Sequence, residues 1–218
     1  MKGLTFNFTH LHEHQDAFFK FLSLRKHFFV DQLGWDIPHN ADLEMDQYDN
    51  PLAWYSLVER DGQIIGGART MATTSQWGSH SYMLKDAIDG KLIDIPVSVL
   101  QHHITDPRIW ECTRLVVSDE VDTQWERGEC LRLIVNGLVQ VASEEGATEL
   151  MSLSPIALTR ALRQLGFGAK RIGSPYLNEG DGRRYAVLTM PATPSDDPSI
   201  YPAAMSKNEV RGQSVALS

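Results

Sequence analysis

The succession of strand-like and helix-like segments predicts a single three-layer α/β domain over residues 1–190, with a mixed, mainly antiparallel central sheet. Two features carry that expectation. Asp61-Gly62 stands between two apolar-rich runs and is a strong two-residue hairpin signal. From Ile109 onward, strand-like runs alternate with amphipathic helical stretches, and neither an internal repeat nor a break in composition appears before residue 190.

The chain of 218 residues is long enough to bury a sizeable core, and 42% hydrophobic with 22% charged residues is ordinary for a globular protein. No apolar run is long enough to cross a membrane, so no membrane association is expected. The start, MKGLTFNFTHLHEH, lacks an apolar core followed by a small-residue cleavage site, which predicts a cytoplasmic protein rather than a secreted one. In that compartment Cys112 and Cys130 are expected as buried thiols, not a disulfide. The 20 Lys and Arg against 28 Asp and Glu give a net charge of −8, which argues against general nucleic-acid binding. A local basic region remains in Arg160, Arg163, Lys170, Arg171, Arg183 and Arg184, set against Glu179 and Asp181.

Residues 4–9 alternate apolar and polar and read as a strand. His10, His12 and His14 follow at period two, but no further ligand pair lies at zinc-like spacing, so no metal is expected. From Asp16, Phe18, Phe21, Leu22, Phe28 and Phe29 recur at helical spacing, and Arg25 falls within their stripe. A guanidinium there needs carboxylates or a ligand, unless its head reaches water. Gly34 and Pro38 end the helix and leave Trp35 and the acidic segment Glu44–Asp49 in a long connection. Strands are predicted over Trp54–Arg60 and Gln63–Met71, with Gly66-Gly67 marking a bulge or a close backbone approach.

Residues 74–108 are the least regular, with YMLKDAIDG and a possible helix over Val97–His103. Ile109–Val117 reads as a strand, and Glu126–Glu145 as a helix with Leu131, Ile134, Val135, Leu138 and Ala142 inward and Gly146 as its stop. A strand over Thr148–Leu153 follows. Ser154 is then expected to cap a helix beginning at Pro155, with Leu158, Leu162 and Leu165 inward and Gly166 after it. Strands near Ala169–Ser174 and Arg184–Met190 complete the domain, and residues 191–218 form a proline-punctuated polar tail.

Arg25, Phe29, Trp35, Asp46, Asp49, Arg69, Glu111 and Arg114, in this order and spacing, resemble the signature of the acyl-homoserine-lactone synthases. These are the autoinducer synthases of bacterial quorum sensing, with a GNAT-like acyltransferase fold. GGARTM, YMLKDAI and WECTRLVV are similar to further segments of that family, over roughly residues 20–190. The chain departs from the pattern at Leu115 and Ala87, where aromatics are usual, and in a longer loop between Arg69 and Tyr82.

The resemblance implies transfer of an acyl group from acyl carrier protein or coenzyme A to S-adenosylmethionine, which serves as co-substrate with no separate cofactor, followed by lactonisation and loss of methylthioadenosine. It implies catalytic roles for Glu111, Arg114, Asp46, Asp49 and Arg69, with Glu111 as base, and an adenosylmethionine wall of Arg25, Phe29, Trp35 and Arg114. Met151, Ser152, Leu153 and Leu115 would line the acyl pocket, and Arg160, Arg163, Lys170 and Arg171 would dock the acidic carrier, in a monomer or weak dimer. A GNAT pyrophosphate loop is at best vestigial in Glu126-Arg127-Gly128-Glu129, which favours the carrier protein. Structural ion pairs, Asp46 with Arg69 and Asp49 with Arg114, are compatible with this set. An acetyl-CoA-dependent N-acetyltransferase and a non-catalytic ligand-binding relative are the alternatives. In a regular strand Glu111 and Arg114 face opposite sides, so a shared site requires a bulge between Cys112 and Arg114.

Overall fold

The computed structural model describes residues 1–193. Within them β1 (Lys2–Asn7), β2 (Trp54–Arg60), β3 (Gln63–Ala72), β4 (Ile109–Val117), β5 (Glu149–Pro155), β6 (Lys170–Leu177) and β7 (Arg184–Pro191) form one sheet of order β1-β2-β3-β4-β5-β7-β6. Only β4 and β5 run parallel; every other neighbouring pair is antiparallel. On one face lie α3 (Gln124–Glu144) and α4 (Ala157–Gln164), and on the other α1 (Leu11–Arg25), the connection that follows it, and α2 (Met83–Ile88). The three-layer mixed sheet is therefore as expected.

The hairpin between β2 and β3 turns on Asp61 and Gly62, both at positive φ (52° and 77°), as a type I′ turn requires. All five inward positions named for α3 are buried, and Thr123 caps the helix by accepting from the Glu126 N–H at 3.1 Å. Cys130 is buried, Cys112 is half-buried, and both are free thiols.

Several boundaries differ from the sequence reading. Ser154 and Pro155 belong to β5, because pairing with β7 continues through Pro155↔Tyr185. A residue before proline favours extended backbone, so Ser154 continues the strand instead of capping a helix. Ile156 precedes α4 in its place. Only Val97–Val99, a single 3-10 turn, forms where a longer helix was expected. α1 gives way at Lys26 to seven residues wound as a π-helix, Lys26–Gln32. Such winding changes the face presented and is frequent at functional sites. Strand β7 runs through Pro191 and Ala192 is buried; the expected tail beyond residue 193 lies outside the described residues.

Two irregularities shape the middle of the sheet. The β4–β5 pair spans only Ile109↔Glu149, Trp110↔Leu150 and Glu111↔Met151, after which the strands diverge and leave a wedge between Cys112–Val117 and Ser152–Pro155. In β3, the register shifts beside Gly66, and a Cβ on Gly67 would meet Leu57 Cδ2 at 2.5 Å and Phe21 Cε2 at 2.8 Å. The glycine pair thus marks both a bulge and a close approach, letting α1 lie directly on β3. Gly67→Ala is expected to lower stability by about 1–3 kcal/mol through overpacking of Phe21 and Leu57. Chemical denaturation checks this, and an unchanged midpoint would show that α1 can move away.

Candidate active site

Strand β4 breaks its alternation where the site is built. Gly67 pairs with Val116 and Arg69 with Thr113, so two residues of β4, Arg114 and Leu115, lie opposite Ala68 alone. Arg114 adopts φ +57°, a left-handed conformation that a side chain with Cβ rarely takes and that costs about 1 kcal/mol. The bulge that a shared site required is present, at Arg114–Leu115 rather than between Cys112 and Arg114. Thr113 and Arg114 consequently face the same side of the sheet as Glu111, while Cys112 and Leu115 pack towards α3 and α4.

On that face three guanidinium groups meet three carboxylates. Arg25, at the end of α1, donates from Nε to Glu44 at 2.5 Å and from its two terminal nitrogens to Asp49 at 2.8 and 2.9 Å. Arg69 Nη1 lies 2.6 Å from Asp46 and 2.8 Å from Asp49, and its Nε donates to Thr113 at 3.1 Å. Arg114 Nη2 reaches Asp46 at 2.8 Å and Glu44 at 3.1 Å. Tyr55 OH donates to Asp49 at 3.0 Å, and the acidic loop folds upon itself through the Asp46 N–H to Asp49 at 2.9 Å. The side chains of Arg25, Glu44, Arg69 and Asp49 are 0% exposed and that of Arg114 is 9% exposed.

Burial alone would push both aspartates up. Arg69 outweighs it, together with Arg114 for Asp46 and Arg25 for Asp49, and both carboxyls are held below their ordinary range. Burial likewise disfavours charge on Arg25 and Arg69, and their carboxylate partners more than offset it, leaving both firmly protonated.

The pairing differs from the sequence expectation in three ways. Asp46 does pair with Arg69, but Asp49 pairs with Arg25 and Arg69 rather than with Arg114. Arg25 is sealed by Glu44 and Asp49, so it is a buried strut rather than the surface open to a ligand that was expected. Glu44 was not among the candidates, yet it joins Arg25 to Arg114. The available signal was charge balance: three arginines aimed inward need a third carboxylate besides Asp46 and Asp49.

Glu111 has a different environment a short way along the same face. It is 1% exposed, and its two oxygens accept from the backbone N–H groups of Met83 (2.7 Å) and Leu84 (2.8 Å) at the start of α2. Among the described residues, no guanidinium hydrogen-bonds to it or pairs with it. Burial raises its carboxyl to about 7, against the lowering effect of those two N–H groups and of Arg69.

Aromatic side chains extend the face towards β7. Phe29 stacks on Trp35 with ring centroids 4.9 Å apart, and the Arg114 guanidinium carbon lies 5.5 Å from the Phe29 ring. Trp35 Nε1 donates to Asp181 at 3.2 Å, and Tyr185 OH donates to the same carboxylate at 2.6 Å, tying the N-terminal wall to the β6–β7 turn.

The expected acyl-pocket residues are not brought together. Met151 and Leu153 face the α1 side, whereas Leu115 packs towards α3 and the Ser152 hydroxyl lies 3.0 Å from that of Ser154. Strict alternation along β5 separates them. Arg160, Arg163, Lys170 and Arg171 are exposed, remote in sequence from the charged cluster, and Arg163 Nε donates to the Ala169 carbonyl at 2.7 Å. Among the described residues, no group of three or more His, Cys, Asp and Glu side chains is placed to hold a metal ion, and no helix is long and apolar enough to cross a membrane.

Removing one partner from a buried ion pair strands the other, so Asp49→Ala is expected to cost about 3–5 kcal/mol in denaturant unfolding. Lowered Asp46 and Asp49 carboxyls contribute stability that is whole above their ordinary 3.8 and is lost as pH falls through their depressed folded values. The melting temperature should therefore fall steeply below about pH 4, and Asp49→Ala should flatten that fall. A variant with wild-type stability and wild-type acid sensitivity would show that the cluster does not carry the fold.

Comparison with known proteins gives a consistent result. The family described as autoinducer synthase matches residues 9–199. The acyl-homoserine-lactone synthase of Acinetobacter nosocomialis is 32% identical over 169 residues, covering 74% of this chain and 85% of that protein. The structure of TofI in a ternary complex with an inhibitor and MTA superposes with a TM-score of 0.69 at 25% identity, over 88% of this chain and 92% of that one. BjaI, a CoA-dependent acyl-homoserine lactone synthase solved with SAM and isopentyl-CoA, shares the fold with a TM-score of 0.70 at 17% identity, over 88% and 83% of the two chains. The chain belongs to the autoinducer synthase family, as an acyltransferase of the acyl-homoserine-lactone synthase type.

Proposed function

We propose that this enzyme acylates the α-amine of S-adenosylmethionine with an acyl thioester and then closes the lactone, with Glu111 as the base. The observation that carries the reading is a buried carboxylate, Glu111, raised to about 7 and set at the point where β4 and β5 part. The amine loses a proton towards Glu111, directly or through a water, and its lone pair attacks the thioester carbonyl. The tetrahedral oxyanion collapses, the carbon–sulfur bond breaks, and the thiol leaves. The methionyl carboxylate then attacks the carbon bonded to the sulfonium, and methylthioadenosine departs with the electrons of that bond.

Each remaining part of the site suits one requirement of those steps. Beyond Glu111, β4 lacks a β5 partner, so those of its backbone N–H groups that point away from β3 suit the oxyanion. Arg114, the least buried of the three arginines, suits the methionyl carboxylate, and the Phe29–Trp35 stack suits the nucleoside and the sulfonium. Asp46, Asp49, Arg69 and Arg25 act by holding that wall in place rather than by touching the reacting atoms. The TofI and BjaI complexes, with MTA and with SAM, support this assignment of co-substrate.

For the acyl donor we propose acyl carrier protein. Arg160, Arg163, Lys170 and Arg171 form no ion pair among the described residues and suit an acidic partner. The acyl chain enters the wedge between β4 and β5 towards α3, where Leu115 and Ser152 face it, with Met151 and Leu153 closing the opposite side.

Glu111→Gln is expected to lower kcat by roughly 10²- to 10⁴-fold, the usual contribution of a positioned base, with the melting temperature preserved. A carboxyl near 7 is a competent base only above that pH, so wild-type kcat should rise through neutrality, and the variant should lack that rise. Methylthioadenosine release, followed by mass spectrometry with and without acyl donor, reads both. Wild-type turnover in the variant would remove Glu111 from the chemistry.

A further inference from the structure

We infer that Asp86 is a positioning residue for the reaction, holding the segment that carries the Met83 and Leu84 N–H groups beneath Glu111 and locking it to the arginine–carboxylate cluster. This inference rests on Glu111 being the base. Asp86 lies on α2, the helix whose first residues hold Glu111. Its side chain is fully buried, and that is unfavourable unless donors surround it.

They do, from three directions. Tyr48 OH donates to it at 3.1 Å, Lys91 Nζ at 2.9 Å, and His80 Nδ1 lies 3.0 Å away. The backbone N–H of Ser81 adds a longer contact of 3.3 Å. Lys91 also donates to the Ser79 carbonyl at 2.6 Å, so the irregular loop before α2 and the turn after it close around one carboxylate.

Tyr48 makes the connection to the rest of the site. Its backbone N–H donates to Asp46 at 2.9 Å, and its ring lies 5.6 Å from the Arg69 guanidinium carbon. The chain of contacts therefore runs from Arg69 and Asp46 through Tyr48 to Asp86, and along α2 to the N–H groups on Glu111. Asp86 touches no reacting atom in this scheme. Without it, no other polar contact among the described residues ties α2 to the acidic loop, and the two N–H groups can drift relative to β4. A misplacement of about 1 Å at a reacting centre can cost about 10²-fold in rate.

The test is a cycle of Asp86→Asn and Glu111→Gln in the full-length enzyme, reading kcat and KM for S-adenosylmethionine by methylthioadenosine release together with melting temperature. Asp86→Asn should lower kcat by roughly 10- to 100-fold with KM within about twofold. The same substitution in a Glu111→Gln background should change kcat little, because a residue acting through Glu111 has nothing left to act on. A full additional loss in that background would overturn the inference and make Asp86 a general structural residue. Wild-type kcat in Asp86→Asn alongside an inactive Glu111→Gln would overturn it while leaving the base in place. Wild-type kcat in Glu111→Gln would sink the base reading first, and this inference with it. If Asp86→Asn does not fold, Tyr48→Phe replaces it in the cycle, removing one donor while keeping the ring, and the same pattern of non-additivity decides.

Discussion

Burying three guanidinium groups with three carboxylates is unfavourable unless the donors and acceptors are matched, and that matching is the constraint around which this fold is arranged. Arg25 comes from α1, Glu44, Asp46 and Asp49 from the connection after the π-helix, Arg69 from β3 and Arg114 from β4. Residues 33–53 are irregular and pack Tyr48 and Ala53 into the core, with Leu33, Trp35, Ile37 and Leu43 against it. The ion pairs fix this segment over the sheet. The β4 bulge follows from the same demand: Arg114 takes a disfavoured left-handed conformation because only then does its guanidinium reach Glu44 and Asp46.

The same face of the sheet keeps two kinds of carboxylate apart. Asp46 and Asp49 face guanidinium groups at hydrogen-bond distance and stay ionised, whereas Glu111 meets only backbone N–H groups and is raised by burial. Environments that push neighbouring acids in opposite directions are how one site separates permanent charge from exchangeable protons. The charged cluster and Glu111 are thus parts of one arrangement, joined by β4 and, through Tyr48 and Asp86, by α2.

Much of this was legible in the sequence, and the misses have physical causes. Asp61-Gly62, the α3 stripe and the apolar run of β4 are local signals, and local signals located their elements. The β4 bulge was legible as a requirement, since Glu111 and Arg114 cannot otherwise share a face. Which carboxylate meets which arginine was not, because pairing inside a loop depends on how the loop folds, and spacing along the chain is silent about that. Glu44 was missed for this reason. The π-helix after Arg25 was hidden because Phe28 and Phe29 fit an α-helical stripe equally well. Ser154-Pro155 misled because a capping pattern and the end of a strand use the same residues, and pairing with β7 decided between them.

The wedge between β4 and β5 is the proposed place of the acyl chain, and the proposed reaction turns on the state of one carboxyl group. Glutamate-selective ¹³C labelling with a pH titration by NMR measures it directly. A single carboxyl titrating near 7 that disappears in Glu111→Gln is the result predicted. If every glutamate instead titrates around 4, as an exposed one does, Glu111 is an ordinary anion held by two N–H groups, and the proposal of a base tuned to neutrality is contradicted.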